Sequence, residues 1–197
     1  MWYMSAARDP RSALVERAID HLAEHGTTDL TLRGLAAGLG TSHRMLIYHF
    51  GSKDGLLVAV AREMERRQLA ALAALREAPG ADAGQVMRGM YRHLHDPALA
   101  PYMRLFFELY GRALRADEAT RPMLAGVVES WLAPLVEFVT AAGVPPDEAA
   151  ADARLCLAVA RGLALDWLAT GDDAALDAAA ERFFTGLEQR WRDADRN

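Results

Sequence analysis

The chain has 197 residues, 52% of them apolar and 25% charged, the balance of an ordinary globular protein with enough sequence for one domain or two small ones. A single cysteine, Cys156, excludes an intrachain disulfide and any cysteine-based zinc knuckle, and no run approaches the roughly 18 apolar residues needed to span a bilayer. The formal net charge of −5 argues mildly against a nucleic-acid partner, yet residues 1–50 hold five arginines and five acids and are formally neutral, so the excess negative charge lies later in the chain.

Met1–Ser12 lacks the positive start, apolar stretch and cleavage site of a signal peptide, which predicts a cytoplasmic protein with no membrane partner. Leu14, Ala18, Ile19 and Leu22 recur at helical spacing and Gly26 supplies a stop, predicting a first helix near 11–25. The link Thr27-Thr28-Asp29-Leu30 leads to Thr31, a good cap for a second helix near 32–39, which Gly40 ends. Ser42 is placed to cap a third helix near 43–49, closed by Gly51-Ser52, and Lys53, the only lysine, opens a long helix to about Glu77. Beyond Pro79-Gly80 the predicted helices lengthen, to 84–95, 98–115 and 119–142, followed after the loop at 143–147 by 147–170 and 174–192. No segment reads as a strand. The expected architecture is all-α, with about nine helices.

Residues 31–53, TLRGLAAGLGTSHRMLIYHFGSK, carry the strongest functional signal. Two short helices that cross steeply need a small residue at their closest approach and a turn residue tolerant of positive φ; Ala36 and Gly40 sit four apart and meet both needs. Leu35, Leu39 and Leu46 fall where the pair must share a core with Leu22. This is the pattern of a helix-turn-helix.

The same stretch resembles the amino-terminal domain of the tetracycline-repressor (TetR) family of transcriptional regulators. It shares Leu30-Thr31, Arg33, Leu35-Ala36, Leu39-Gly40, Tyr48-His49-Phe50, Ser52-Lys53 and Leu56-Leu57, over roughly residues 11–60. The resemblance implies a three-helix helix-turn-helix DNA-binding domain at 8–55 and a helical ligand-binding and dimerisation domain at 56–197. It implies that Arg33, His43, Arg44 and Met45 face base edges, with Arg44 suited to bidentate contact with guanine, and that Thr31, Ser42, Tyr48, His49 and Lys53 hold phosphates. Two departures stand out. Many relatives have tyrosine where Ile47 stands and glycine where Arg44 stands, so the first loses a backbone contact and the second adds a base reader.

In the second domain, the methionine and aromatic residues Met87, Met90, Tyr91, Met103, Phe106, Phe107, Tyr110, Met123 and Trp131 are the expected lining of a pocket for a small apolar or amphipathic effector. Arg104, Glu108 and Asp166 are polar candidates beside them, and Pro134 should kink its helix near Ser130–Trp131. Leu155, Val159, Leu163 and Trp167, with Phe183, Leu187 and Trp191, are expected at a homodimer interface built as a four-helix bundle. The partners expected are double-stranded DNA with a near-palindromic operator and an unidentified small molecule, with no cofactor and no metal. The function expected is a repressor released from its operator by that molecule. Two other readings stand beside it, a small-molecule-binding helical enzyme, for which His93-x-His95-Asp96 is the best cluster, and a ligand-independent architectural DNA-binding protein.

Overall fold

The computed structural model describes residues 9–27, 30–115 and 121–194. Thr28 and Asp29 of the expected link, and the first two residues of the helix expected at 119–142, lie outside them. Among the described residues there are nine α-helices and no strand: α1 (Pro10–His25), α2 (Leu32–Gly38), α3 (His43–Phe50), α4 (Lys53–Arg76), α5 (Ala83–Leu94), α6 (Ala100–Leu114), α7 (Glu129–Ala141), α8 (Pro146–Thr170) and α9 (Asp173–Ala194), with short 3-10 turns at Pro97–Leu99 and Arg121–Met123. Their ends follow the sequence signals. Pro10 starts α1, where its missing N–H costs nothing, and Gly26 ends it at φ +72°. Asp82 caps α5 by accepting from the Gln85 N–H, and Gly171 closes α8 in the left-handed region.

One expected helix is shorter than its apolar stripe. Instead of running from 119 to 142, the chain turns through 124–128, with Gly126 at φ +83°, and α7 begins only at Glu129. The Leu124, Val127 and Val128 part of the stripe therefore belongs to a turn. Pro134 is consequently the sixth residue of α7, and the carbonyl it leaves without an i+4 donor is that of Ser130 in the first turn.

The chain packs as two compact units, the first formed by residues up to Arg66 with Arg104–Leu124, the second by Arg67–Met103 with the chain from Ala125 onward. The division falls inside α4. In the first unit, α1 contributes Leu14, Val15, Ala18, Ile19 and Leu22 to a core shared with Leu35, Ala36, Leu39, Leu46, Leu56, Leu57 and Val60. α6 adds Leu105 and Leu109, and polar links tie it to the same unit: Thr27 donates to the Glu108 carboxylate, and Arg112 lies 3.7 Å from Asp54. A β-carbon on Gly55 would overlap the Phe50 carbonyl oxygen, so the start of α4 approaches the end of α3 closely enough to demand glycine.

In the second unit α7 packs on α8, and α5 and α8 pack on α9. Arg88 on α5 forks across to α9, with Nη2 2.5 Å from Glu181 and Nη1 2.5 Å from Glu188, and its guanidinium stands over the Phe184 ring. The fork fits there because a β-carbon on Gly84 would overlap the Glu188 carboxylate. Trp191 donates from Nε1 to Asp152 at 2.7 Å, joining α9 to α8, and its ring meets Phe138 of α7 edge-on. Burial, reinforced by Asp152, pushes the Cys156 thiol up to about 12.

Two outcomes test this packing. Gly55→Ala should destabilise the protein by about 1–3 kcal/mol through forced displacement of α4 from α3, whereas Gly111→Ala, whose added methyl meets nothing within 4 Å, should leave the melting temperature unchanged or raised. At pH 8 the native Cys156 thiol should react with a disulfide reagent at least about tenfold more slowly than in denaturant, because the thiolate is the reactive form.

Candidate nucleic-acid interface

The first unit presents one exposed helical edge, and the reasons are local. Thr31 accepts from the Gly34 N–H at 3.1 Å and starts α2; Ser42 accepts from the Met45 N–H at 3.2 Å and starts α3. Between them Gly40 turns the chain at φ +60°, and the Thr41 N–H bonds the Ala36 carbonyl at 2.9 Å. Ala36 is buried where α2 meets α3, and Leu35, Leu39 and Leu46 close the core beneath. On the other side of α2, a β-carbon on Gly38 would come within 2.5 Å of the His21 ring, so α1 also fixes the position of α2.

At about 100° per residue, burial of Leu46 and half-burial of Phe50 put Arg44 and Tyr48 at the centre of the outward face of α3. His43 and Ile47 lie on one flank and Met45 on the other; all five are exposed, Tyr48 to 78%. Arg33 is exposed on α2. The structure therefore brings His43, Arg44, Met45 and Tyr48 together on one surface.

The remaining expected phosphate holders are partly committed elsewhere. The hydroxyl oxygens of Thr31 and Ser42 serve as helix caps, which leaves their hydroxyl hydrogens to donate outward. Lys53 is half-buried and donates from Nζ to the Leu30 carbonyl at 3.1 Å, closing the loop before α2 and keeping two protons for another acceptor. His49 is half-buried with Nε2 sealed from solvent and without a hydrogen-bond partner, so that atom cannot reach a phosphate. The His49 carbonyl instead accepts from Arg11 Nε at 3.4 Å, and the Arg11 guanidinium lies 5.1 Å from the centre of the Phe50 ring. Arg11 thus fastens α1 to the end of α3. No short motif reveals it, because its partners lie 38 and 39 positions away.

The residues expected around an effector fall into both units. Met87, Met90, Met103 and Trp131 are buried in the second, where Tyr91 is half-buried and donates to Asp177 at 2.9 Å. Phe106, Phe107, Tyr110 and Met123 belong to the first, with the Phe106 ring flanked by Phe107 and Tyr110. Of the polar candidates, Glu108 is engaged by Thr27, while Arg104 and Asp166 are exposed.

The residues expected at a dimer interface divide in the same manner. Leu187 and Trp191 are buried within the protomer and Phe183, Val159, Leu163 and Trp167 are half-buried, Trp167 donating to Asp173 at 3.0 Å. Leu155 is exposed, and the line that continues from it on α8 is Ala158, Gly162 and Leu165, the last 53% exposed. Apolar residues surround α8 on all sides, so periodicity alone does not separate this outer line from the inner one of Ala149, Ala153, Leu157 and Ala164.

His93 and His95 point to different partners, Gln68 for His93 Nε2 and the Tyr91 carbonyl for His95 Nδ1. Among the described residues no group of three His, Cys, Asp or Glu side chains is placed to hold a metal ion, and no helix is long and apolar enough to cross a membrane.

Residues 14–60 match the family model for bacterial regulatory proteins of the tetR family. Over 113 residues the chain is 34% identical to the HTH-type transcriptional repressor AcnR of Corynebacterium glutamicum; the match takes in 56% of this chain and 54% of AcnR, so the chain spans about half the length of that relative. Among solved structures, a transcriptional regulator from Rhodococcus sp. Rha1 superposes with a TM-score of 0.76 at 21% identity, covering 95% of this chain and 98% of the other. BioQ, solved with its natural double-stranded DNA operator, superposes with a TM-score of 0.60 at 24% identity, covering 91% and 98%. The motif and the packing of α2 on α3 lie within the matched stretch: residues 14–60 are similar to bacterial regulatory proteins of the tetR family, and the described residues share the all-helical fold of the solved structures.

Proposed function

We propose that the protein is a transcriptional regulator that binds a near-palindromic DNA operator as a homodimer and is released from it by a small apolar or amphipathic molecule. One observation carries the DNA-binding part: α3 is capped, fixed by α1 and α2, and exposes Arg44 and Tyr48 at the centre of its outward face, flanked by His43 and Met45. An α-helix fits the major groove of B-DNA, and a guanidinium in the centre of such a face can bond O6 and N7 of guanine together. In this reading Arg33, His43, Arg44 and Met45 meet base edges, while Thr31, Ser42, Tyr48 and Lys53 hold phosphates and fix the register. His49 acts from beneath by supporting the end of α3. The curated relative is named a transcriptional repressor, which favours a regulator over an enzyme and repression over activation.

The dimer contact in this reading is the exposed line Leu155, Ala158, Gly162 and Leu165 of α8, where small residues permit close approach of a second copy. A twofold dimer places its two reading helices roughly 34–36 Å apart, one turn of DNA, which requires an inverted repeat in the operator. The effector site is assigned to the second unit, where Met87, Met90, Tyr91, Met103 and Trp131 supply adaptable side chains that suit varied apolar ligands.

Operators are obtained by selecting bound fragments from genomic DNA. Arg44→Ala should then weaken binding to the selected site by about 1–3 kcal/mol and flatten discrimination at one base pair of each half-site. Discrimination unchanged from the parent protein removes Arg44 from the reading role. Leu165→Arg should convert the dimer to monomer in sedimentation and reduce operator affinity, while the circular dichroism of the exposed α8 face variant stays helical; a dimer that survives the change places the interface elsewhere.

A further inference from the structure

Ile47 is a branched apolar side chain 40% exposed on the helix that presents Arg44 and Tyr48. It shares a flank with His43, one turn earlier, and stands three residues after Arg44, so its Cβ is about 5–6 Å from that of the arginine. Its backbone carbonyl accepts the closing bond of α3 from the Gly51 N–H at 2.8 Å, which fixes the residue in helical geometry. A β-branched side chain in a helix is held close to one rotamer, so little entropy is lost when it meets a partner.

An isoleucine offers nothing to a phosphate, which needs donors. In the major groove, guanine, adenine and unmodified cytosine present hydrogen-bonding edges; the apolar feature there is the methyl group on C5 of a pyrimidine. We infer that Ile47 is a specificity-determining residue that packs on the C5 methyl of a thymine in each half-site. Base pairs are about 3.4 Å apart along the duplex, so a Cβ separation of about 5–6 Å places this thymine within two base pairs of the base that Arg44 reads. The inference rests on the DNA-binding reading above.

The test uses the full-length protein and the selected operator. Each thymine within the half-sites is replaced by deoxyuridine, which removes the methyl and leaves the pairing intact. Each cytosine is separately replaced by 5-methylcytosine. The parent protein should lose about fourfold in affinity at one thymine of a half-site, the factor for one buried methyl group, and about fifteenfold when both half-sites are changed. Ile47→Ala should bind the thymine and deoxyuridine operators equally, with its melting temperature and its response to salt the same as those of the parent. The inference is overturned if no thymine shows the effect, if Ile47→Ala retains the same penalty, or if affinity responds to 5-methylcytosine alone. If no DNA fragment is selected at all, the DNA-binding reading itself fails, an outcome distinct from selective binding that ignores the methyl group.

Discussion

The close crossing of α2 on α3 is the constraint from which the rest of the first unit follows. Two helices of seven and eight residues are too short to be stable alone. Each is started by a hydroxyl cap, and both are held by a core that exists only if Ala36 lets them approach and Gly40 turns the chain between them. Once that crossing is set, the orientation of α3 is no longer free: Leu46 must point in, and Arg44 and Tyr48 must point out. The surface that α3 exposes is thus determined by an apolar contact on the opposite side of the same helix.

Other contacts make this orientation rigid. Gly38 against His21 fixes α2 from α1, while Arg11 on the His49 carbonyl and the Phe50 ring and Gly55 beneath the Phe50 carbonyl fix α3 from α1 and α4. α6 belongs to the same packed body through Leu105, Leu109, the Thr27–Glu108 bond and the Arg112–Asp54 pair. A shift of α6 therefore has to break those polar links or move the loops and helix starts that carry them. Glu108 and Arg112 hold structure, which is why they are poor candidates for effector contacts despite standing beside aromatic residues.

The helices α1 to α3 are legible in the sequence because their signals are local and nearly unambiguous. Thr31, Gly40 and Ser42 can do only a few things in a chain, and all three do them. The second unit was readable as helices but not as surfaces. α8 carries apolar residues all round, so its buried line and its exposed line look alike in sequence, and periodicity does not disclose that Leu165 is exposed or that Trp191 of α9 is buried within the protomer. The helix expected from 119 was overextended because an apolar stripe outweighed Gly126, which turns the chain at positive φ. The commitments of Lys53 to Leu30 and of His49 to the interior depend on partners distant in the chain, and the residue type alone does not disclose them.

The charge of the reading surface bears on how such a protein would divide its binding energy. Non-specific affinity for DNA scales with the number of phosphates that cations neutralise. Here residues 1–50 are formally neutral, five arginines standing against five acids. That balance gives little net attraction for DNA of arbitrary sequence, while Arg33 and Arg44 are exposed cations on α2 and α3. On the proposed DNA-binding reading, a head with so little net attraction draws a larger share of its affinity from contacts that depend on the bases. On that reading Arg44 supplies a guanidinium suited to a guanine edge, and Met45 and Ile47 supply exposed apolar side chains beside it.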